Sequence, residues 1–448
     1  MRERIEILLA AWGHFSYRHA WSLLVGVTLT VAAGATQLPK LTLDTSTESF
    51  LHEGDPLRVA YDAFREQFGR DDQVVVAIEA LNIYTPAFLD RLRSMHEDIE
   101  NEVPNLEEVS SLINARSTVG DGDRLIVGEL LEDRPESPEE WAEIERLARA
   151  NPMYRNLLVS EDGRFATILV RTSAYSSLDD AGDELSGFDE EESRGEVSRA
   201  FITGEENSAI VTALSAIQDR YDADDFRIYM AGTPVMIEAM QLSMRTDMAR
   251  FGTLSMLVIA GFLALLFRKV AGVVLPMLTV ILSVASTLSV MAAAGVPISL
   301  PTQILPSFLL AIGVGYAVHL LAIYYQQRRV GAEGEDAMAH ALGHSGLAIV
   351  MTSLTTAGGL VSFAAAELAP IASFGIFAPL GVLIALLFTL VFLPALTAVF
   401  PMGSERGADG RSDDRISQRL LIHAGDFATS HAWSVTLATA GLAAIALL

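Results

Sequence analysis

The chain has 448 residues, 51% of them hydrophobic, and a formal net charge of −25 at pH 7. So apolar a composition excludes an ordinary soluble protein of this length, and so acidic a balance excludes nucleic acid as a partner. The absence of cysteine removes disulfides and thiolate chemistry from consideration.

Segregation reconciles the two properties. Between Lys40 and Arg250 stand 45 acidic against 20 basic residues. From Phe251 to Phe400 the only charges are Arg268, Lys269, Arg328, Arg329, Glu333, Glu335, Asp336 and Glu367, placed in short gaps between apolar runs. An acidic domain beside a set of membrane helices is the reading.

In chain order, residues 1–19 carry Ile5, Leu8, Leu9, Trp12 and Phe15 at helical spacing among Arg2, Arg4 and Arg18, which predicts a cytoplasmic interfacial helix. Residues 20–38 form the first apolar span. Arg2 and Arg4 before it, and Ala33-Gly34-Ala35 at its end, also fit a cleaved signal peptide, but the stretch ahead of the apolar core is too long for one. A repeat supports the anchor reading. Leu8, Leu9, Gly13, Phe15 and His19-Ala20-Trp21-Ser22 recur 412 residues later as Leu420, Leu421, Gly425, Phe427 and His431-Ala432-Trp433-Ser434. An internal copy cannot be a signal peptide. The chain is therefore read as the first half of a duplicated protein, with 401–430 a cytoplasmic linker and interfacial helix and 431–448 the shortened start of a seventh span.

Residues 39–248 read as an exterior α/β domain of the ferredoxin-like sort. Gln73–Ile78 is an apolar strand, Pro86–Glu102 a helix, and Arg164–Arg171 an alternating strand with Leu157-Leu158-Val159 as its hairpin partner. Asn207–Tyr221 is an amphipathic helix and Phe226–Met230 a strand. Ser176–Glu196, rich in glycine, serine and acids, reads as a mobile insertion. The remaining spans are 251–267, 270–294, 303–325, 345–366 and 371–400. Arg268-Lys269, Arg328-Arg329 and Arg406, Arg411, Arg415 and Arg419 fall on the side of Arg2 and Arg4, while the opposite loops 296–302 and 367–370 carry no basic residue. The positive-inside rule then sets the N-terminus in the cytoplasm and the acidic domain outside a cell (inner) membrane.

The fourth span, 303–325, holds close-set Gly313 and Gly315, then Tyr316 and the lone intramembrane ionisable residue, His319. Thr352-Ser353-Leu354-Thr355-Thr356-Ala357-Gly358-Gly359, Phe374-Gly375, Pro379-Leu380-Gly381 and Leu393-Pro394-Ala395-Leu396 follow in the fifth and sixth spans. With the exterior motifs Asn151-Pro152, Ser160-Glu161-Asp162-Gly163 and Ala231-Gly232-Thr233-Pro234, this layout resembles the resistance-nodulation-division (RND) superfamily. The resemblance is to its MMPL-like, predicted-exporter branch, related to sterol-sensing-domain proteins. It implies proton-driven export or transfer of hydrophobic or amphiphilic, lipid-like molecules. It also implies a Gly-x-Asp-Tyr core in the fourth span whose aspartate exchanges a proton. Here Gly313 and Tyr316 match that core, but Gly315 stands at the aspartate position.

Each constellation has competing readings. His319 lies one turn beyond Gly315 on the same helix face and can relay protons, or it can be a neutral structural histidine bonded to backbone or a hydroxyl. Tyr316 needs only one partner for its hydroxyl. Gly313 and Gly315 suit close helix packing, since no third glycine makes a dinucleotide loop. Thr352, Ser353, Thr355 and Thr356 form a hydroxyl cluster that can hold water, pair with His319 or bond between helices. His340 and His344, placed in a cytoplasmic loop helix, have zinc-ligand spacing without a third ligand, and Asp189–Glu192 lacks the pattern of a calcium loop. No phosphate loop, paired carboxylates or Ser-His-Asp motif is evident, so no enzyme, cofactor or metal is expected. The expected partners are membrane lipids and a hydrophobic or amphiphilic substrate; a homo-oligomer or accessory membrane proteins stay open. A second function class, a non-transporting lipid sensor or scaffold, is motivated by the missing intramembrane carboxylate.

Overall fold

The computed structural model describes residues 2–46, 48–68, 72–121, 124–131, 135, 137–173, 175–176, 202–400, 422–423, 425–427 and 429–446. Most of the expected insertion 176–196 and of the linker 401–430 lies outside these. The chain divides into two compact units. One comprises Met1–Trp21, His319–Leu347 and Pro394–Leu448, and the other Ser22–Val318 and Ala348–Leu393.

Within the larger unit, helix α3 (Pro56–Phe68) precedes a four-stranded sheet. Strand β1 (Gln73–Glu79) leads to α4 (Pro86–Glu102) and β2 (Leu106–Ser110). A separate hairpin, β3 (Arg116–Asp121) with β4 (Arg124–Glu129), and helix α5 (Pro138–Ala150) come before β5 (Phe165–Thr172). Helix α6 (Gly204–Tyr221) and β6 (Arg227–Ala231) complete the set. The sheet order is β2-β5-β1-β6, with antiparallel neighbours and Val76 opposite both Ile168 and Met230. Alternation puts Val74, Val76 and Ile78 of β1 and Ala166, Ile168 and Val170 of β5 on one buried face. Leu92, Met95 and Ile99 of α4 and Ile210, Leu214 and Ile217 of α6 complete that core. Local signals start the helices: Thr85 caps α4 ahead of Pro86, and Thr203 with Glu206 makes a capping box on α6.

Leu157-Leu158-Val159 is not a strand. The Tyr154 carbonyl accepts from the amides of Leu157, Leu158 and Val159, and Asn156 adopts a left-handed φ of 63°. This coiled turn leaves Val159 only isolated bridges to Arg155 and Ala166.

Among the described residues, six helices are long and apolar enough to cross a membrane. The first is α2 (Ala20–Ala35), whose span extends to Lys40. The second, α7 (Thr233–Phe267), is a single helix of 35 residues that starts well before the expected 251. It begins where Gly232, at φ +128°, turns out of β6 against the Gln73 carbonyl, a close approach that leaves no room for a Cβ. Then come α8 (Val270–Ala293), α9 (Leu305–Arg329), α10 (Gly334–Val361) and α11 (Ala369–Val399). His340 and His344 therefore belong to the long α10, not to a separate loop helix.

In the smaller unit, α1 (Arg2–Arg18) packs on the first half of α10 through small residues. A Cβ on Gly13 would lie 2.7 Å from the Ala339 Cα, one on Gly343 would lie 3.3 Å from Ala10 Cβ, and one on Gly346 would lie 3.0 Å from a Leu9 methyl. Glu335 closes the contact, accepting from Arg18 Nε at 2.7 Å and lying 2.9 Å from His14 Nδ1. The repeated segment differs. Gly425 meets nothing within 4 Å, and α12 (Ala432–Ala446) is exposed.

Candidate functional site

Gly313 and Gly315, two positions apart on α9, have opposite surroundings. A Cβ on Gly313 would come within 2.9 Å of Val280 on α8, so this glycine lets the two helices approach. Gly315 is exposed and a Cβ there meets nothing within 4 Å. The close-packing reading therefore holds for Gly313 and not for Gly315.

Tyr316 turns inward and is 5% exposed. Its hydroxyl faces Ser353 and Thr356 on α10, yet makes no direct hydrogen bond. Ser353, fully buried, donates instead to the Ile349 carbonyl at 2.8 Å. Thr352 and Thr355 likewise turn back on their own helix, to Ala348 and Met351 at 2.8 and 2.9 Å. Thr356 makes no such bond among the described residues, which leaves it as the natural partner for Tyr316. A buried hydroxyl without a partner costs about 1–3 kcal/mol. The four hydroxyls do not act as one cluster: Ser353 and Thr356 face Tyr316, while Thr352 and Thr355 are exposed.

His319 belongs to the smaller unit and is exposed, with no hydrogen-bond partner among the described residues. Neither the backbone nor a tyrosine hydroxyl holds it, so the structural-histidine reading lacks its bond. At membrane depth an ionisable ring facing hydrocarbon is costly, and such residues face protein or water. The His340 and His344 rings stack at 6.0 Å, and no group of three metal-ligating residues occurs among the described residues.

Sequence reasoning missed one constellation in the α/β domain, with His96 and Ser111 buried and Glu100 exposed. The His96 Nδ1 lies 2.9 Å from the Ser111 hydroxyl and its Nε2 lies 3.1 Å from Glu100. The order is that of a nucleophile, base and orienting carboxylate. Ser111 is fully buried, however, and its oxygen already accepts from the Ile113 amide at 3.1 Å. This is a clamp between α4 and the loop after β2. His96 at i and Glu100 at i+4 were the only legible part, since the loop that brings Ser111 over has no sequence signature.

Six apolar spans among the described residues, together with an α/β domain, define a multi-pass helical membrane protein. Residues 57–414 match the MMPL family, and the chain belongs to that family of membrane transporters. Among its relatives is a membrane protein of Methanocaldococcus jannaschii, 22% identical over 410 residues, which cover 88% of this chain and 94% of that protein. The heme uptake protein MmpL11 of Mycobacterium tuberculosis is 24% identical over 177 residues, covering 39% of this chain and 18% of the relative. The transport protein MmpL11 of Mycobacterium bovis matches to the same extent.

Proposed function

We propose that this transporter moves hydrophobic or amphiphilic, lipid-like molecules and draws on the proton gradient, with His319 as the relay residue of α9 in place of the absent aspartate. The observation that carries the reading is His319 itself, an unpartnered ionisable ring on a span that offers no acid at Gly315. Tyr316 and Thr356 are separate coupling candidates within the larger unit, where Gly313 sets the close α8–α9 packing. In this reading the protein sits in the cell inner membrane with its N-terminus in the cytoplasm. Residues 39–248 are exterior, as the distribution of arginine and lysine favours. The exterior domain is read as a ferredoxin-like module, supported by the order β2-β5-β1-β6 with α4 and α6 on one face. The repeat at Gly425 and His431 supports the start of a second, homologous half. A second half, or a second copy, would supply the protein surface that His319 needs.

The test is proton-coupled efflux from vesicles containing the full-length protein, comparing His319→Ala with wild type. Fluorescent phospholipid and haem serve as probe substrates, the latter because an MmpL11 relative is named for heme uptake. Loss of coupling with retained folding supports the relay. Unchanged coupling removes His319 from the mechanism and leaves transport standing. The sensor reading is favoured by Gly315, and it requires lipid binding with no flux of any probe under a gradient.

A further inference from the structure

Methionine is not spread evenly along this chain. Four of its 14 methionines fall within the 13 residues of α7 from Met236 to Met248, at positions 236, 240, 244 and 248. Each is four residues from the next, so the side chains share one helix face, with successive Cβ atoms about 5–6 Å apart. Packing alone does not ask for this. Leucine has the same helix propensity and specifies a core better than the flexible thioether. Met236, moreover, is 66% exposed, whereas Met244 is 2% exposed. The row runs from the surface into the interior of the larger unit.

Three of the four line one cavity. Met236, Met240 and Met244 border a space of about 260 Å³ with Ser243 and Asp247 of the same helix, and with Gln303 from the connection between α8 and α9. Its polar groups include two acceptors without partners. The Gln303 side-chain oxygen is buried and accepts no hydrogen bond among the described residues. Asp247 makes no hydrogen bond or ion pair among them. It follows Met240 by seven residues and Met244 by three, which puts its carboxylate on the methionine face. No lysine, arginine or histidine lines the space.

The donor set selects the ligand. An unpaired carboxylate beside an unpaired amide oxygen calls for a cation. Hard cations take oxygen ligands throughout. Histidine and carboxylate groups of three that would hold a divalent ion are absent among the described residues. The donors here are sulfur, and in a chain without cysteine the thioethers are the only sulfur available. Thioethers are soft ligands that select copper(I), whose charge and softness silver(I) shares. An organic cation would use the carboxylate but has no need of three sulfur atoms in a row. We propose that Met236, Met240, Met244 and Asp247 form a binding site for a soft monovalent metal cation, copper(I) or its analogue silver(I), with the Gln303 oxygen as a further donor. The rotatable bonds of each methionine let its sulfur turn onto the ion, and Asp247 neutralises the charge. The site is defined without reference to what the helices transport, and its test reads binding without flux.

The probe is silver(I), which needs no reductant, added as its nitrate in chloride-free buffer to the full-length chain in detergent. Bound metal is measured by equilibrium dialysis, and the methionine methyl groups are followed by NMR. A saturable silver site is expected that excess potassium does not displace. The methyl signals of Met236, Met240 and Met244 should shift together as it fills. Met240→Leu removes the central thioether at nearly constant volume, and Met236→Leu does so at an exposed position where folding is not at stake. Each should weaken binding by at least the roughly tenfold that losing a supporting group costs a metal site, and Asp247→Asn by roughly tenfold. Met153 is 76% exposed and outside the cavity, so Met153→Leu leaves binding unchanged. The methyl shifts are read on the unsubstituted chain, so a folding defect in a variant does not decide the outcome. Titration of Met153 in step with the row, or binding untouched by both Met236→Leu and Met240→Leu, shows only adventitious contact with sulfur and overturns the proposal. Displacement of silver by potassium overturns it as well, because the site then belongs to hard ions.

Discussion

Gly375 on α11 is a position where one methyl group tests the packing of the span. A Cβ there would press on the backbone nitrogen of Ala364 and the carbonyl carbon of Phe363, and lie 2.8 Å from the Ala364 Cα. These atoms belong to the short 3₁₀ turn Ser362–Ala365 that ends α10, and being backbone they cannot swing aside. Overpacking of this kind costs about 1–3 kcal/mol. The better helix propensity of alanine returns up to about 1 kcal/mol. With the full propensity gain subtracted, Gly375→Ala is expected to destabilise by up to about 2 kcal/mol net. Gly358 on α10 is the control, because a Cβ there meets nothing within 4 Å. Gly358→Ala keeps only the propensity gain of up to about 1 kcal/mol. The propensity gain is common to both, so the two variants should differ by the overpacking cost of about 1–3 kcal/mol, or several degrees in Tm. The assay is thermal unfolding of the purified chain in detergent, followed by intrinsic fluorescence and by loss of the monodisperse elution peak. A Gly375→Ala protein that melts with or above Gly358→Ala refutes the reasoning.

Other outcomes follow from the same geometry. Gly13→Val drives a side chain into the Ala339 backbone and should release α1 to limited proteolysis, whereas Gly425→Val, with open space around it, should leave the cleavage pattern unchanged. His96→Ala strips the buried Ser111 hydroxyl of a partner and should cost the α/β domain about 1–3 kcal/mol, read from denaturant unfolding by near-UV circular dichroism. A loss too small to shift the unfolding midpoint would show the clamp to be dispensable. Hydrogen bonds from the Arg220 guanidinium hold the exposed Glu102 carboxyl below its ordinary value of 4.5. A carboxyl depressed in the folded state stabilises above its unfolded value and loses that contribution as pH falls below it. Arg220→Gln should therefore flatten the acid limb of Tm against pH while lowering Tm near neutrality. An unchanged acid limb would place the acid sensitivity elsewhere.

The sequence was most legible where one physical signal dominated. Pro86–Glu102 reads directly as α4 because Thr85-Pro86 starts it and Leu89, Leu92 and Ile99 pattern it. Strand β1 reads from an unbroken apolar run. Strand β2, Leu106–Ser110, was missed because adjacent Glu107 and Glu108 break the alternation at an irregular pairing with β5. The early starts of α7 and α10 were missed for a different reason. Hydropathy marks where hydrocarbon begins, not where a helix begins, so Arg245, Asp247 and Arg250 in α7 and Glu335 and Asp336 in α10 looked like boundaries. At the site, the order Gly313-Val314-Gly315-Tyr316 was visible. Which glycine packs and which lies open depends on Val280, 33 residues earlier, and local pattern carries no trace of that.

The unbroken α7 carries a mechanical consequence. Its 35 residues rise about 52 Å, far beyond the ~30 Å needed to cross hydrocarbon. Its first turns are tied to the α/β domain, where the Asn207 amide donates to the Pro234 carbonyl at 3.0 Å and Gln241 is buried. No proline interrupts it after Pro234, so it has no built-in elbow at the water–lipid boundary. It behaves as a single stiff rod fixed to the sheet at one end and immersed in lipid at the other. Any tilt of the sheet end must then appear as a sweep of the immersed end. Cutting the rod, by a Gly-Pro pair near Arg250, is the way to let one end move without the other.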